Sequence, residues 1–222
     1  MSEANAIHGP VAHQFDTLEQ QRHAGELGMW TFLATEVMFF GGVFLAYTLY
    51  RMEHEAVFAE ASGKMDLRLG TINTAVLLCS SLTMALAVHA AETARRAMLV
   101  VCLAATIVLG GAFLGIKFTE YYHKYEERLI PFFGLPFEYE GPQPDQAAMF
   151  FDLYFIMTGI HALHMIIGLG LLAVLLVKAA RGRLLGDYSS PVHVSGLYWH
   201  FVDIVWVFLF PFLYLIGARQ GP

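Results

Sequence analysis

Met29-Trp30-Thr31-Phe32-Leu33-Ala34-Thr35-Glu36-Val37-Met38-Phe39-Phe40 is apolar almost throughout and carries one carboxyl group, Glu36, near its centre. It is the middle of a longer apolar stretch, 27–50. A helix needs about 20 mostly apolar residues to cross a ~30 Å hydrocarbon layer, and this stretch is long enough. Four more stretches of the same kind follow, at 71–91, 98–118, 148–177 and 196–217. Backbone N–H and C=O groups in lipid must be satisfied within the chain, so each stretch is expected to be helical. The ten-residue alternation of a membrane β-barrel is absent. The expected fold is therefore all-α: a polytopic membrane protein with five transmembrane helices in one bundle over 27–217, behind a polar cytoplasmic segment at 1–26.

Composition agrees. Of the 222 residues, 57% are hydrophobic and 14% charged, against about 25% charged in soluble domains. Mean hydropathy is +0.54. A net charge of -6 and the lack of a basic patch speak against nucleic acid as a partner. Cys79 and Cys102 both fall in apolar stretches and read as small buried hydrophobes rather than a disulfide framework. The polar N-terminal segment contains no short apolar region with a cleavage site, so the first span is expected to act as its own insertion signal.

The connections differ in charge. Those at 51–70 and 119–147 are longer and acidic, and the second holds Pro131, Pro136, Pro142 and Pro144, which predicts irregular chain. Those at 92–97 and 178–195 are shorter, with Arg95 and Arg96 in one and Lys178, Arg181 and Arg183 in the other. Basic residues in short loops favour the cytoplasmic side. This places the N-terminus inside and the C-terminus outside. No 20–50-residue repeat stands out.

An ionisable group at the centre of a span costs roughly 2.5–3.5 kcal/mol on insertion scales, which makes Glu36 a functional candidate in need of a partner. The fourth span carries Asp152, His161 and His164, and the fifth carries His200 and Asp203. Each pair, His161/His164 and His200/Asp203, is three residues apart and so shares one side of its helix. Two imidazoles in one turn can hold a metal or haem; equally, polar side chains in membranes join helices by hydrogen bonds. At ~1.5 Å per residue, Glu36 lies about 14 Å and His164 about 20 Å from the inner ends of their spans, close enough in depth to meet if the fourth span tilts. Glu36 is expected to be buried and hydrogen-bonded to His164. Gly111 and Gly115 form a G-x-x-x-G, and Gly41-Gly42 follow Glu36, spacings that permit close helix packing or a lipid-filled groove.

Five segments, in this order, resemble subunit III of the haem–copper oxidases, in a short five-helix form nearest the cytochrome c oxidase type. They are Thr35-Glu36-Val37-Met38-Phe39-Phe40, Asn73-Thr74-Ala75-Val76-Leu77-Leu78, Glu120-Tyr121-Tyr122, Gly159-Ile160-His161-Ala162-Leu163-His164-Met165-Ile166-Ile167-Gly168, and Tyr198-Trp199-His200-Phe201-Val202-Asp203-Ile204-Val205-Trp206. The last is the most specific. The resemblance covers the chain from about Gly25 onward.

What the resemblance implies is a core subunit without a redox centre, with haem and copper in neighbouring subunits. Such a subunit packs on oxidase subunit I, in a complex with subunit II and others. It binds phospholipid and supports proton uptake and enzyme lifetime in a bacterial inner membrane. Many relatives have seven helices, and this chain aligns from the third, so their V-shaped lipid cleft is expected to be absent or completed by another subunit. Glu36 falls on the family's intramembrane glutamate, and Lys178, with Arg181 nearby, on a position that meets a lipid headgroup. His161, His164, His200 and Asp203 are then structural or proton-linked, with no catalytic or metal-binding residue in this chain. Thr35-Glu36-Val37 favours cytochrome c as the electron donor of the complex. Subunit III of a quinol oxidase and a nitric-oxide-reductase-associated relative share the fold. From other classes, a proton-coupled transporter would use Glu36, Asp152 and Asp203, although no inverted repeat supports it, and a haem-binding electron carrier would use the histidines.

Overall fold

The computed structural model describes residues 14–131, 137–141 and 143–217. Among them are six α-helices and one short 3₁₀ turn, and no strand: α1 (Leu18–Glu53), α2 (Glu55–Gly63), α3 (Leu67–Glu92), α4 (Arg96–Glu126), α5 (Pro144–Ala180) and α6 (Ser190–Tyr214). Five of these, all but α2, are long and apolar enough to cross a membrane. The all-α, five-span expectation holds.

Local chemistry sets the boundaries. Thr17 caps α1, its hydroxyl accepting from Gln20 N at 3.1 Å, and Asp66 caps α3 through Arg68 N and Leu69 N. These bonds satisfy amides that have no partner inside the first turn. Pro144 opens α5, where its missing N–H is harmless. Gly182, at φ 73°, closes α5: Arg183 N reaches back to the carbonyl of Lys178 at 3.2 Å, the left-handed C-terminal cap that glycine adopts most easily.

The spans run further than hydropathy suggested. α1 has 36 residues and α5 has 37, about 54 and 56 Å at 1.5 Å per residue, so both extend well past the hydrocarbon layer. The stretch at 18–26, read as part of a polar segment, forms the first turns of α1; residues 1–13 of that segment lie outside the described residues. The connection at 51–70 contains α2, whose Phe58, Ala59, Ala61 and Ser62 are buried. Its apolar residues were too few to signal a span, and α2 instead packs across the ends of α5 and α6.

Helices α3, α4, α5 and α6 form a closed ring, each packed on the next and α6 on α3. Its centre holds Met84, Phe113, Trp199 and Trp206, all fully buried. Trp199 lies in a slot made by two glycines. A Cβ on Gly110 would stand 2.8 Å from Trp199 Cη2, and one on Gly168 would stand 2.9 Å from its Cζ3. Of the two uses the spacing permits, close helix packing or a groove, Gly111 and Gly115 make no close packing within this chain: nothing comes within 4 Å of a Cβ built there, nor at Gly41 or Gly42. The contact-making glycine of α4 is Gly110, one residue away on the inner face. Cys79 faces outward, against expectation, while Cys102 is buried.

Helix α1 stands outside this ring, packed mainly along α6. Val37, Met38 and Phe39 are exposed on it. The bundle is thus a four-helix ring with one peripheral helix.

Candidate functional site

The first polar site is the contact between α1 and the ring. His164 Nε2 stands 3.2 Å from Glu36 Oε2, with the two side chains 13% and 18% exposed. Glu36 is therefore half-buried rather than buried, because α1 is peripheral and the carboxyl lies at its edge with the ring. The distance suits an ion pair, but Oε2 has no aligned hydrogen-bond donor. His164 Nδ1 is 2.9 Å from the carbonyl of Ile160, which can only accept, so Nδ1 carries a hydrogen. That leaves Nε2 as the ring nitrogen that faces the carboxyl group. Phe40, edge-on to the imidazole at 5.3 Å, and Tyr198, stacked at 6.5 Å, close the other sides. The Tyr198 hydroxyl donates to the His164 carbonyl at 2.9 Å, which ties α6 to the same turn.

Although three residues from His164, His161 points elsewhere. It is 1% exposed and lies against Phe113 and Trp206, with ring centroids 5.5 and 5.3 Å away. Neither ring nitrogen has an N or O partner; the contacts available to its N–H are the aromatic faces, a weak interaction. The two imidazoles do not converge. Among the described residues no group of three His, Cys, Asp or Glu could hold a metal ion.

On the α3–α6 seam, Ser81 Oγ is 2.8 Å from His200 Nδ1, and Asp203 Oδ2 is 4.0 Å from the same nitrogen. A nucleophilic triad needs serine and carboxylate on opposite ring nitrogens, so this arrangement is not one. Asp203 is buried, and neither of its oxygens has a hydrogen-bond partner. Asp152 is half-buried, with Oδ1 unpartnered. Among the described residues no hydrogen bond joins Glu36, Asp152 and Asp203.

The densest polar cluster was not expected from the sequence. Lys117, 2% exposed, donates from Nζ to Glu120 Oε2 at 3.2 Å, Tyr154 Oη at 3.0 Å and Tyr214 Oη at 2.9 Å. The two tyrosines donate in turn to Glu120 Oε1, at 2.7 and 2.5 Å. Nζ also lies 4.9–5.5 Å from the ring centroids of Tyr121, Tyr154, Trp206 and Tyr214, within cation–π range. Each donor has an acceptor, so a cation and an anion on α4 are neutralised within a cage built by α4, α5 and α6. The sequence signal was there: opposite charges three apart near the end of an apolar run. The third span was expected at 98–118, which left Glu120 outside it, whereas the helix continues to Glu126.

At the opposite end of the bundle, the cytoplasmic candidates collect. Arg96 donates to the carbonyl of Ala180, which joins the start of α4 to the end of α5. Lys178 and Arg181 are exposed beside it.

The sequence model of cytochrome c oxidase subunit III matches residues 16–127 and 137–218. The chain belongs to the haem–copper oxidase subunit III family. Three relatives that it resembles are each named "Probable quinol oxidase subunit 3". The protein of Staphylococcus haemolyticus (strain JCSC1435) is 31% identical over 216 residues, which covers 93% of this chain and 98% of the relative. That of Staphylococcus saprophyticus is 30% identical over 215 residues, with the same coverage. That of Staphylococcus aureus (strain USA300) is 31% identical over 216. Membership makes this subunit III a multi-pass membrane protein that works in a complex with other oxidase subunits. These relatives are named for quinol oxidation, whereas Thr35-Glu36-Val37 had favoured cytochrome c. That motif lies on α1 beside His164, and nothing in its contacts selects an electron donor.

Proposed function

We propose that this chain is the non-redox subunit III of a quinol-oxidising, proton-translocating terminal oxidase. Haem and copper lie in its partners, subunits I and II among them, and the chain supports proton uptake and the working lifetime of the complex. The observation that carries this reading is the match of residues 16–127 and 137–218 to the subunit III family, together with relatives about 30% identical over nearly their whole length that are named for quinol oxidation. The site geometry is in keeping with a structural role: the Glu36–His164 contact, the Ser81–His200 contact and the Lys117–Glu120 cluster each join helices. Glu36–His164 latches the peripheral α1 onto α5, and Lys117–Glu120 pins α4 to α5 and α6.

The proposed orientation puts Arg95, Arg96, Lys178, Arg181 and Arg183 in the cytoplasm of a bacterial inner membrane, with the N-terminus inside and the C-terminus outside. Lys178 and Arg181 then meet the headgroup of an anionic phospholipid, where each basic residue contributes about 1 kcal/mol.

Affinity purification through this chain tests the reading. The expected product is a complex with a haem absorption spectrum that reduces oxygen with a quinol and not with reduced cytochrome c. Efficient turnover with cytochrome c alone would move the assignment to the cytochrome c type. A chain that purifies without haem proteins would overturn the oxidase reading.

A further inference from the structure

Helix α6 has α3 on one side, α1 on another and α5 behind. Ser80, Ser81 and Thr74 of α3 contact its Trp199, His200 and Trp206. Phe40 and Phe44 of α1 contact its Phe201 and Phe208. Between α3 and α1 a strip of α6 remains uncovered: His200, Ile204, Val207, Phe208 and Pro211. Ile204, Val207 and Phe208 are exposed, and the His200 side chain is 34% exposed. Such a strip would suit lipid if it were wholly apolar, but it is not.

Two polar features break it. His200 has one ring nitrogen, Nδ1, held by Ser81 at 2.8 Å, with buried, unpartnered Asp203 4.0 Å behind. With Nδ1 occupied and the side chain partly exposed, Nε2 is the ring nitrogen left for a partner. About three turns on, Pro211 has no N–H to give to the carbonyl of Val207, the acceptor four residues before it. Positions 200 and 207 lie on one face, about 10.5 Å apart along the axis. Polar side chains and freed carbonyls within a bilayer are met by neighbouring helices or a water-filled cavity, not by lipid tails.

We propose that the α6 strip between α1 and α3 is covered by a transmembrane helix of a partner oxidase subunit, which carries a hydroxyl or amide side chain hydrogen-bonded to His200 Nε2. This rests on the oxidase-subunit reading. The apolar neighbours Ile204 and Phe208 supply packing, and His200, oriented by Ser81 and backed by Asp203, fixes the depth of the incoming helix. The carbonyl of Val207 offers a second acceptor in the same register.

The test uses the intact oxidase. A photo-reactive amino acid placed at Ile204, and separately at Phe208, is activated in native membranes and its adducts are identified. Retention of this chain on the complex after detergent dilution is then compared for wild type, His200→Leu and His200→Gln. The expected adduct is an apolar segment of another oxidase subunit. Loss of the chain should rise about three- to tenfold with His200→Leu, the range of one interhelical hydrogen bond, and His200→Gln should restore most of it. Adducts with phospholipid alone at both positions would overturn the proposal. So would equal retention of all three forms, since no bond to His200 would then hold the partner. Failure of the wild-type chain to co-purify with a haem–copper oxidase is scored before any cross-link, and would overturn the parent reading together with this one.

Discussion

His164 presents Nε2 to Glu36, 3.2 Å from Oε2, because its other nitrogen is tied to the carbonyl of Ile160 at 2.9 Å. A carboxyl group near the middle of a membrane helix is thereby given a polar neighbour on the ring. The helix that carries it, α1, packs mainly on α6, so this contact is its polar link to α5.

If the contact latches α1, Glu36→Ala should loosen that helix by about 1–2 kcal/mol, the range for polar contacts between membrane helices. Glu36→Gln should lose less, because its amide can still donate to Nε2. Limited proteolysis at the α1–α2 junction, near His54, should be faster for Glu36→Ala than for wild type. An unchanged rate would show that packing on α6 alone holds the helix.

The cage around Lys117 makes a larger prediction. Removing one partner of a buried ion pair leaves the other uncompensated, so Lys117→Met should destabilise the chain by about 3–5 kcal/mol. Adding Glu120→Gln should recover part of that loss, since the amide oxygen still accepts from Tyr154 and Tyr214. Equilibrium unfolding in mixed micelles measures both. A double variant less stable than Lys117→Met would contradict the account.

The two neighbouring glycines of α4 should behave differently. Gly110→Val drives side-chain atoms into Trp199, an overpacking expected to cost about 1–3 kcal/mol or more. Gly111→Ala meets open space in the isolated subunit and should leave its stability unchanged. Thermal unfolding of the two variants, with Trp fluorescence for the position of Trp199, separates them.

The five spans were legible because twenty apolar residues in a row have one solution in a bilayer. Glu36 was legible because one carboxyl group in such a run is conspicuous, and its depth pointed toward His164. The direction of a side chain was not. His161 and His164 share a side by spacing, yet their separation of three residues is enough to send one into the Phe113–Trp206 core and the other out to α1. The G-x-x-x-G at Gly111 and Gly115 did not point to the glycine that packs within the ring, Gly110, for the same reason: which face of α4 meets Trp199 is decided by the neighbours on the ring. Tyr154 and Tyr214 are unremarkable as tyrosines in apolar helices, and only the closure of α4, α5 and α6 brings both to Glu120.

Topology is checked by reporter fusions at each end. The basic short connections at Arg95-Arg96 and Lys178 to Arg183 predict a cytoplasmic N-terminus and an external C-terminus, from five crossings. A cytoplasmic C-terminal reporter would reverse the proposed sidedness of the lipid contact at Lys178 and Arg181.

The time course of oxygen consumption tests the central claim most directly. The purified oxidase is compared with the same enzyme stripped of this chain, and with the stripped enzyme reconstituted with it, each driven by excess quinol. A supporting subunit without a redox centre predicts an initial rate of electron transfer that survives stripping. It also predicts activity that decays faster during turnover and a lifetime restored by adding the chain back. Immediate loss of oxygen reduction on stripping, with the haem spectrum of the remaining subunits intact, would contradict the account, for it would place an obligatory catalytic group within this chain.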